Sequence, residues 1–325
     1  MDAWQKDFGE AFVRIGDLLH YLEISPKDQK SFLDFNGGNF PLRVPRPFAE
    51  RIEKGNLKDP LLLQVLASAL EQVIAPGFNA DPVGDQAQIR SKSLIQKYRG
   101  RALIIATGAC AIHCRYCFRK TFPYDQQSFS PRHIEQLLEE ITLDPSLSEI
   151  ILSGGDPLSL SDDRIASLIH EIAKIPHIKT LRMHTRLPVV IPNRVTSNLI
   201  YTLDTLPLQK VMVIHANHPK ELDGHVENKM KAIRQTGTLL LNQSVLLKGV
   251  NDDANTLIQL SQRLLECGVL PYYLHLLDRI EGSQHFEVAD NIARDLVGSL
   301  RAELPGYLVP RLVREVEGQP SKTPI

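Results

Sequence analysis

Cysteine is scarce in this chain: four residues among 325. That excludes a disulfide scaffold as the organising principle. Charge of one sign is not in excess either, since 37 Lys and Arg face 38 Asp and Glu for a net charge of -1. An overall basic footprint for nucleic acid is therefore absent. No apolar run approaches the roughly 18 residues that span a membrane. There is no internal repeat and no low-complexity tract. The start, Met1-Asp2-Ala3-Trp4-Gln5-Lys6-Asp7, is polar and acidic, unlike a signal peptide. These absences lead to the expectation of a soluble cytoplasmic protein without nucleic-acid or membrane partners. With 43% hydrophobic residues, the chain suffices for one large domain, or one domain with an appendage.

What cysteine there is, is concentrated. Cys110, Cys114 and Cys117 are spaced C-x3-C-x2-C, and only Cys267 lies elsewhere. An apolar run, Ala102 to Ala106, stops at Thr107-Gly108 just before them. That reads as a buried strand ending at a loop that carries the cysteines. Three thiolates can hold three irons of a cubane cluster and leave the fourth without a protein ligand. Structural zinc completed by His113 or Cys267 is the alternative.

Residues 1 to about 95 read as helices and loops. Phe8, Phe12, Ile15, Leu18 and Leu19 recur at helical spacing, and a second apolar helix, Leu61 to Leu66, is entered at Asp59-Pro60. This region is expected to be a packing layer. From residue 100 strands and helices alternate. Strands are expected at Ala102–Ala106, Ile150–Leu152, Thr180–His184, Val211–Ile214, Thr238–Leu241 and Tyr272–Leu277. The helix from Pro131, capped by Ser130, carries Ile134, Leu137, Leu138 and Ile141. Another carries Ile165, Leu168, Ile169 and Ile172 behind Asp162-Asp163, and a third Leu257, Leu260 and Leu264 behind Asp252-Asp253. Such alternation implies right-handed crossovers and a parallel sheet. The fold class is α/β: an open, partial (β/α)6 TIM-like barrel with an N-terminal helical region. The expected division is 1–95, 96–304 and a C-terminal segment, 305–325.

In such barrels reactive groups collect at the carboxyl ends of the strands. Here the cysteines, Ser153-Gly154-Gly155-Asp156-Pro157, Arg186, His215 with Asn217-His218-Pro219, Gln243 and Asp278 all follow strands. A shared mouth is the simplest reading. Two glycines after a strand let a backbone approach a ligand closely.

C-x3-C-x2-C with Tyr116 before the last cysteine resembles the radical S-adenosylmethionine superfamily. There the cluster is a [4Fe-4S] centre whose open iron is chelated by S-adenosylmethionine. More closely, the chain resembles the lysine 2,3-aminomutases from about Pro82 onward. The matching segments are Asp81-Pro82-Val83-Gly84-Asp85-Gln86, Lys97-Tyr98-x-x-Arg101, the cysteine loop with Phe118-Arg119, and Ser153-Gly154-Gly155-Asp156. Thr185-Arg186-x-Pro188, His215-x-Asn217-His218-Pro219, Asn242 to Asn251, Pro271-Tyr272-Tyr273 and Lys322-Thr323-Pro324 continue the series.

By that resemblance Cys110, Cys114 and Cys117 hold the cluster. Ser153, Gly154, Gly155, Asp156, His215 and Gln243 seat S-adenosylmethionine. Lys322 carries pyridoxal 5'-phosphate, with Tyr98 and Arg101 beside it. Arg119 takes the substrate carboxylate, while Asp278 and Glu315 face its distal amine. The resemblance implies adenosyl-radical chemistry on L-lysine, giving (R)-β-lysine, and an electron donor such as flavodoxin or ferredoxin. Homo-oligomerisation is left open. The chain departs from the free-lysine enzymes at Glu315 (their aspartate), at Gly318-Gln319-Pro320-Ser321 (their glycine-rich loop) and at His275 (their tyrosine). It also ends three residues after Lys322. These departures resemble the short branch that serves modification of elongation factor P. Amino acid catabolism or osmolyte formation, and a zinc-stabilised binding protein, are the alternative functions.

Overall fold

Alternating strands and amphipathic helices must bury the sheet on the side the helices cover, and the topology follows from that. The computed structural model describes residues 2–25, 27, 40–127 and 131–325. Ser130, the expected cap, lies outside them. One sheet of ten strands runs in chain order: β1 (Ile89–Ser91), β2 (Leu94–Tyr98), β3 (Arg101–Thr107), β4 (Glu149–Gly154), β5 (Thr180–Thr185), β6 (Gln209–Ile214), β7 (Leu239–Val245), β8 (Leu270–His275), β9 (Arg311–Arg314) and β10 (Thr323–Pro324). β3 through β9 are parallel, each to the next. β1, β2 and β3 pair antiparallel at one edge and β10 returns antiparallel on β9 at the other. Among the described residues nothing pairs β1 with β10, so the barrel stays open.

The expected partial barrel is present, extended at both edges. Residues 89–98 form a hairpin where helix and loop were expected. Its first strand is three residues long, too short to show alternation, and Ser93 turns the chain at φ 67°. The terminal segment contributes β9 and β10. The strand expected at Tyr272–Leu277 lies at Leu270–His275, and the one expected at Thr238–Leu241 runs on to Val245, which puts Gln243 inside a strand.

Four of the crossover helices start on a cap that the sequence supplies. Ser161, Thr196, Asp223 and Asp253 accept from the amides of Arg164, Leu199, Val226 and Thr256. The helices bury one stripe each, such as Ile165, Leu168, Ile169 and Ile172, against Ile150, Leu152 and Met183 of the sheet. The N-terminal helices Ala3–Gly9 and Ile15–Tyr21 and the turn Pro60–Leu63 add Leu18, Leu19, Leu61 and Leu62 to the same apolar core. No helix among the described residues is long and apolar enough to cross a membrane.

Arg194 fastens this layer. It is fully buried, pairs with Asp162 Oδ1 at 2.6 Å and donates to the carbonyls of Leu158 and Leu160. The ring of Trp4 lies 4.6 Å below its guanidinium. Removing one member of a buried pair strands the other. D162A is expected to lose about 3 kcal/mol in urea unfolding; an unchanged midpoint would contradict this account.

Candidate active site

Side chains alternate along a strand, so every second residue of the parallel sheet faces inward. Ile150, Leu181, Met183, Met212, Leu240 and Leu274 go to the apolar layers. Ile151, Ser153, Arg182, His184, Val213, His215, Gln243, Val245, Tyr273 and His275 border an interior cavity of about 800 Å³. Every site residue expected from the sequence borders this one cavity: Tyr98, Arg101, Cys110, Cys114, Cys117, Arg119, Ser153, Gly154, Gly155, Asp156, His215, Gln243, Asp278, Glu315 and Lys322.

The cysteine loop leaves β3 and is pressed against the turn after β4. An added Cβ on Gly154, at φ 123°, would stand 2.4 Å from Thr107 O. One on Gly155 would stand 2.4 Å from Ala109 O. The glycine pair thus lets two backbones pack closely at the cavity wall, where both residues also border the open space. Asp156 also works inside the scaffold. Its carboxylate accepts from Thr185 Oγ1 at 2.7 Å, Arg186 N at 2.7 Å, Leu187 N at 3.0 Å and Leu158 N at 3.0 Å, tying the end of β4 to the end of β5. Burial pushes this carboxyl up to about 6 despite those donors.

The three thiols are half-buried and free. Burial pushes Cys110 well up and Cys117 up to about 11, so metal binding has to displace protons. Cys114 Sγ takes a hydrogen bond from Arg186 Nη1. The same guanidinium reaches Tyr116 Oη, Gln64 Oε1 and Glu221 Oε2. Burial alone would raise the Glu221 carboxyl, but Arg186 outweighs it and holds Glu221 below the usual range. His215 closes this network with Nε2 at 2.8 Å from Tyr116 Oη, and burial depresses it to about 3, leaving a neutral ring. Cys267 borders no part of the cavity; it is fully buried in the apolar core with Leu264 and Val269.

Across the cavity, β9 and β10 form a hairpin in which Arg314 faces Thr323. It brings Lys322 Nζ to 2.6 Å from Glu315 Oε2. Tyr98 Oη donates to the other oxygen of Glu315 at 2.5 Å. β2 and β9, from opposite flanks of the open sheet, therefore meet at one carboxylate. Burial would raise Glu315, yet Lys322 and Tyr98 leave it lowered. Lys97 Nζ lies 2.6 Å from Asp85 Oδ1, and Arg119 Nε 2.6 Å from Asp85 Oδ2. Arg119 Nη1 also donates to Ser153 Oγ at 3.0 Å. Arg101 stacks on Tyr98, 4.6 Å from the ring centre.

A match to the family model of the radical SAM superfamily covers residues 104–260. The chain is 49% identical over 324 residues to the L-lysine 2,3-aminomutase of Escherichia coli (strain K12), covering 100% of this chain and 94% of that one. It is 48% identical to the L-lysine 2,3-aminomutase of Haemophilus influenzae, covering 87% and 84%. To that of Buchnera aphidicola subsp. Baizongia pistaciae it is 42% identical, covering 99% and 94%. The chain belongs to the L-lysine 2,3-aminomutase family.

Membership in the lysine 2,3-aminomutase family makes it an enzyme, an isomerase, and implies a [4Fe-4S] cluster, S-adenosylmethionine and pyridoxal phosphate. The donor chemistry of the cavity fits them. Three thiols stand on one loop with Arg186 beside a sulfur. A lysine amine enters from the opposite wall, and Arg101, Arg182, Arg301 and Arg311 also border the space and suit a phosphate. Buried polar atoms without partners face inward as well: His184 Nε2, His275 Nε2 and Asp278 Oδ1. Unsatisfied buried groups are rare and mark a site meant to receive something.

Sequence reasoning put no role on Asp85, Arg182, His184, Gln64 or Glu221. The period-two pattern Leu181-Arg182-Met183-His184 could have found two of them. Gln64 caps the turn Pro60–Leu63 and Glu221 ends the turn Pro219–Glu221, and neither position signals a link to the cysteine loop.

Two expectations follow for the family's site. G155A forces a methyl group into Ala109 O and should cost about 1–3 kcal/mol. Reconstituted iron content should fall sharply while far-ultraviolet circular dichroism is kept; full iron loading would contradict the packing role. Asp278, in turn, is pushed up to about 7 by burial, with Lys322 offsetting part of the shift. An unfolded aspartate titrates near 3.9. The folded chain binds the extra proton between those values, so stability falls as pH rises from about 4 to about 7, then levels. D278N, measured without cofactors, is expected to be more stable than wild type at pH 8 by on the order of a few kcal/mol, and equal at pH 4. A difference independent of pH would contradict this.

Proposed function

We propose that the protein is a lysine 2,3-aminomutase that converts L-lysine to (R)-β-lysine in the cytoplasm, for modification of elongation factor P. The observation that carries this reading is that Lys322 and the three loop cysteines border one cavity. The near-complete span of relatives of similar length supports the short-branch assignment.

Each residue has a part in that reaction. Cys110, Cys114 and Cys117 hold the cluster. His215, Gln243 and the Ser153–Asp156 turn form the wall next to it, where S-adenosylmethionine is seated. Tyr98 and Arg101 flank Lys322, which carries pyridoxal phosphate, and the arginine suits the phosphate. Bound together, the cluster and S-adenosylmethionine would supply a hydrogen-abstracting radical, and pyridoxal phosphate would supply the aldehyde that holds the substrate's migrating nitrogen.

The chain's own groups do the rest. Glu315 Oε2, 2.6 Å from Lys322 Nζ, holds that amine at the cavity wall. The Nε edge of Arg119 is fixed by Asp85, which turns the Nη edge toward a substrate carboxylate. Asp278 stands with an unpaired oxygen where an ammonium group would satisfy it. Binding a cation there returns Asp278 to its charged form. Water is kept out by burial of the strand faces. His275 replaces the tyrosine of the free-lysine enzymes and presents a neutral ring, since burial holds it well below its ordinary value.

The test is turnover. Protein reconstituted anaerobically with iron, sulfide, pyridoxal phosphate and S-adenosylmethionine, then reduced, is expected to form (R)-β-lysine from L-lysine and to leave glutamate unchanged. K322A should form none while retaining its iron. Turnover of glutamate in preference to lysine would favour a catabolic or osmolyte role. A colourless zinc protein, or a fully loaded protein without β-lysine, would contradict the proposal.

A further inference from the structure

Arg186 is the one cation in hydrogen-bond contact with a loop cysteine among the described residues. It follows β5, is 6% exposed, and reaches back across the barrel mouth to Cys114 Sγ. Its backbone amide is pinned by Asp156 Oδ2 at 2.7 Å, so its position is set from both ends. Nη1 also donates to Tyr116 Oη at 2.8 Å, and Nη2 to Gln64 Oε1 at 2.7 Å and Glu221 Oε2 at 2.8 Å. Glu221 is fully buried and its second oxygen accepts from Gln64 Nε2 at 3.1 Å, Asn217 N at 2.9 Å and His218 N at 3.2 Å. One positive charge thus lies against a sulfur, with one negative charge on the far side of the same guanidinium.

A buried pair of this kind is a poor device for stability, because well-packed apolar residues often do as well. Placed against a cluster ligand it has a second effect. The potential of an iron–sulfur cluster follows the net charge and the hydrogen bonds around its sulfurs. Reduction adds one electron to the cluster, so a neighbouring cation favours the reduced form and a neighbouring anion opposes it.

We propose that Arg186 and Glu221 are positioning residues that set the reduction potential of the cluster, Arg186 raising it through Cys114 and Glu221 limiting that rise. The proposal rests on the reading of Cys110, Cys114 and Cys117 as cluster ligands. The electron comes from the external reductant, and no other group changes oxidation state.

The experiment is a redox titration of the reconstituted full-length protein, followed by electron paramagnetic resonance, with iron and sulfide assayed beforehand. R186Q is expected to lower the reduced-to-oxidised ratio at fixed solution potential by about tenfold, about 59 mV for one electron. E221Q should move the ratio the other way. R186K, which keeps the charge, should stay near wild type, and the R186Q/E221Q double variant should fall between the single ones. Opposite signs are the signature that a merely structural role would not produce. The proposal is overturned if R186Q and E221Q match wild type, if both shift in one direction, or if every variant loses the cluster, which would make the pair an assembly requirement. A wild-type protein that takes up no cluster overturns the ligand reading itself, and this proposal with it. That failure is told apart because it appears in the iron assay before any titration.

Discussion

Glu315 is the tie between the two flanks of an unclosed barrel. One of its oxygens holds Lys322 at 2.6 Å and the other receives Tyr98 Oη at 2.5 Å. Tyr98 belongs to β2, Glu315 follows β9, and Lys322 precedes β10. A sheet left open by seven parallel neighbours would otherwise offer two free edges. Here short antiparallel strands cap both, and the hydrogen bond from Tyr98 to Glu315 spans the gap between them. The same carboxylate fixes the lysine amine at the wall of the cavity that the cysteine loop also borders. Structure and chemistry therefore depend on one carboxylate, and its length bears on how far Lys322 reaches.

The interior is polar beyond what stability asks. Burying histidine and aspartate without partners costs free energy. His184, His275 and Asp278 nevertheless keep buried atoms unpaired, while Asp85 pairs with Arg119 and Glu221 with Arg186. Such departures from a comfortable core collect where a protein binds or reacts. The scaffold offsets them elsewhere: Arg194 with Asp162, the capped crossover helices, and an apolar core continuous from Leu18 to Val269.

Much of this was legible in the chain itself. The cysteine loop, the six inner strands and the strand-end residues could be placed from periodicity and spacing, because a parallel sheet reads as repeated apolar runs. What escaped did so for physical reasons. The β1–β2 hairpin is too short for alternation to register, and β10 is only two residues long. That Gly154 and Gly155 also admit the backbone of the cysteine loop is a long-range contact with no sequence signal. Asp156 borders the cavity as expected, but its four accepted hydrogen bonds tie β4 to β5, a fact of tertiary packing with no sequence signal. Gln64 and Glu221 lie far from the cysteines in the chain and meet their loop through Arg186 and, for Gln64, through Tyr116 and the Arg115 amide.

Three lysines border the cavity, Lys97, Lys120 and Lys322. The account assigns the cofactor to the one held by Glu315 beside Tyr98. Borohydride reduction of the pyridoxal phosphate-loaded protein, followed by peptide mapping, tests this directly. The account predicts a pyridoxyl group on Lys322; a label on Lys97 or Lys120, with Lys322 unmodified, would contradict it.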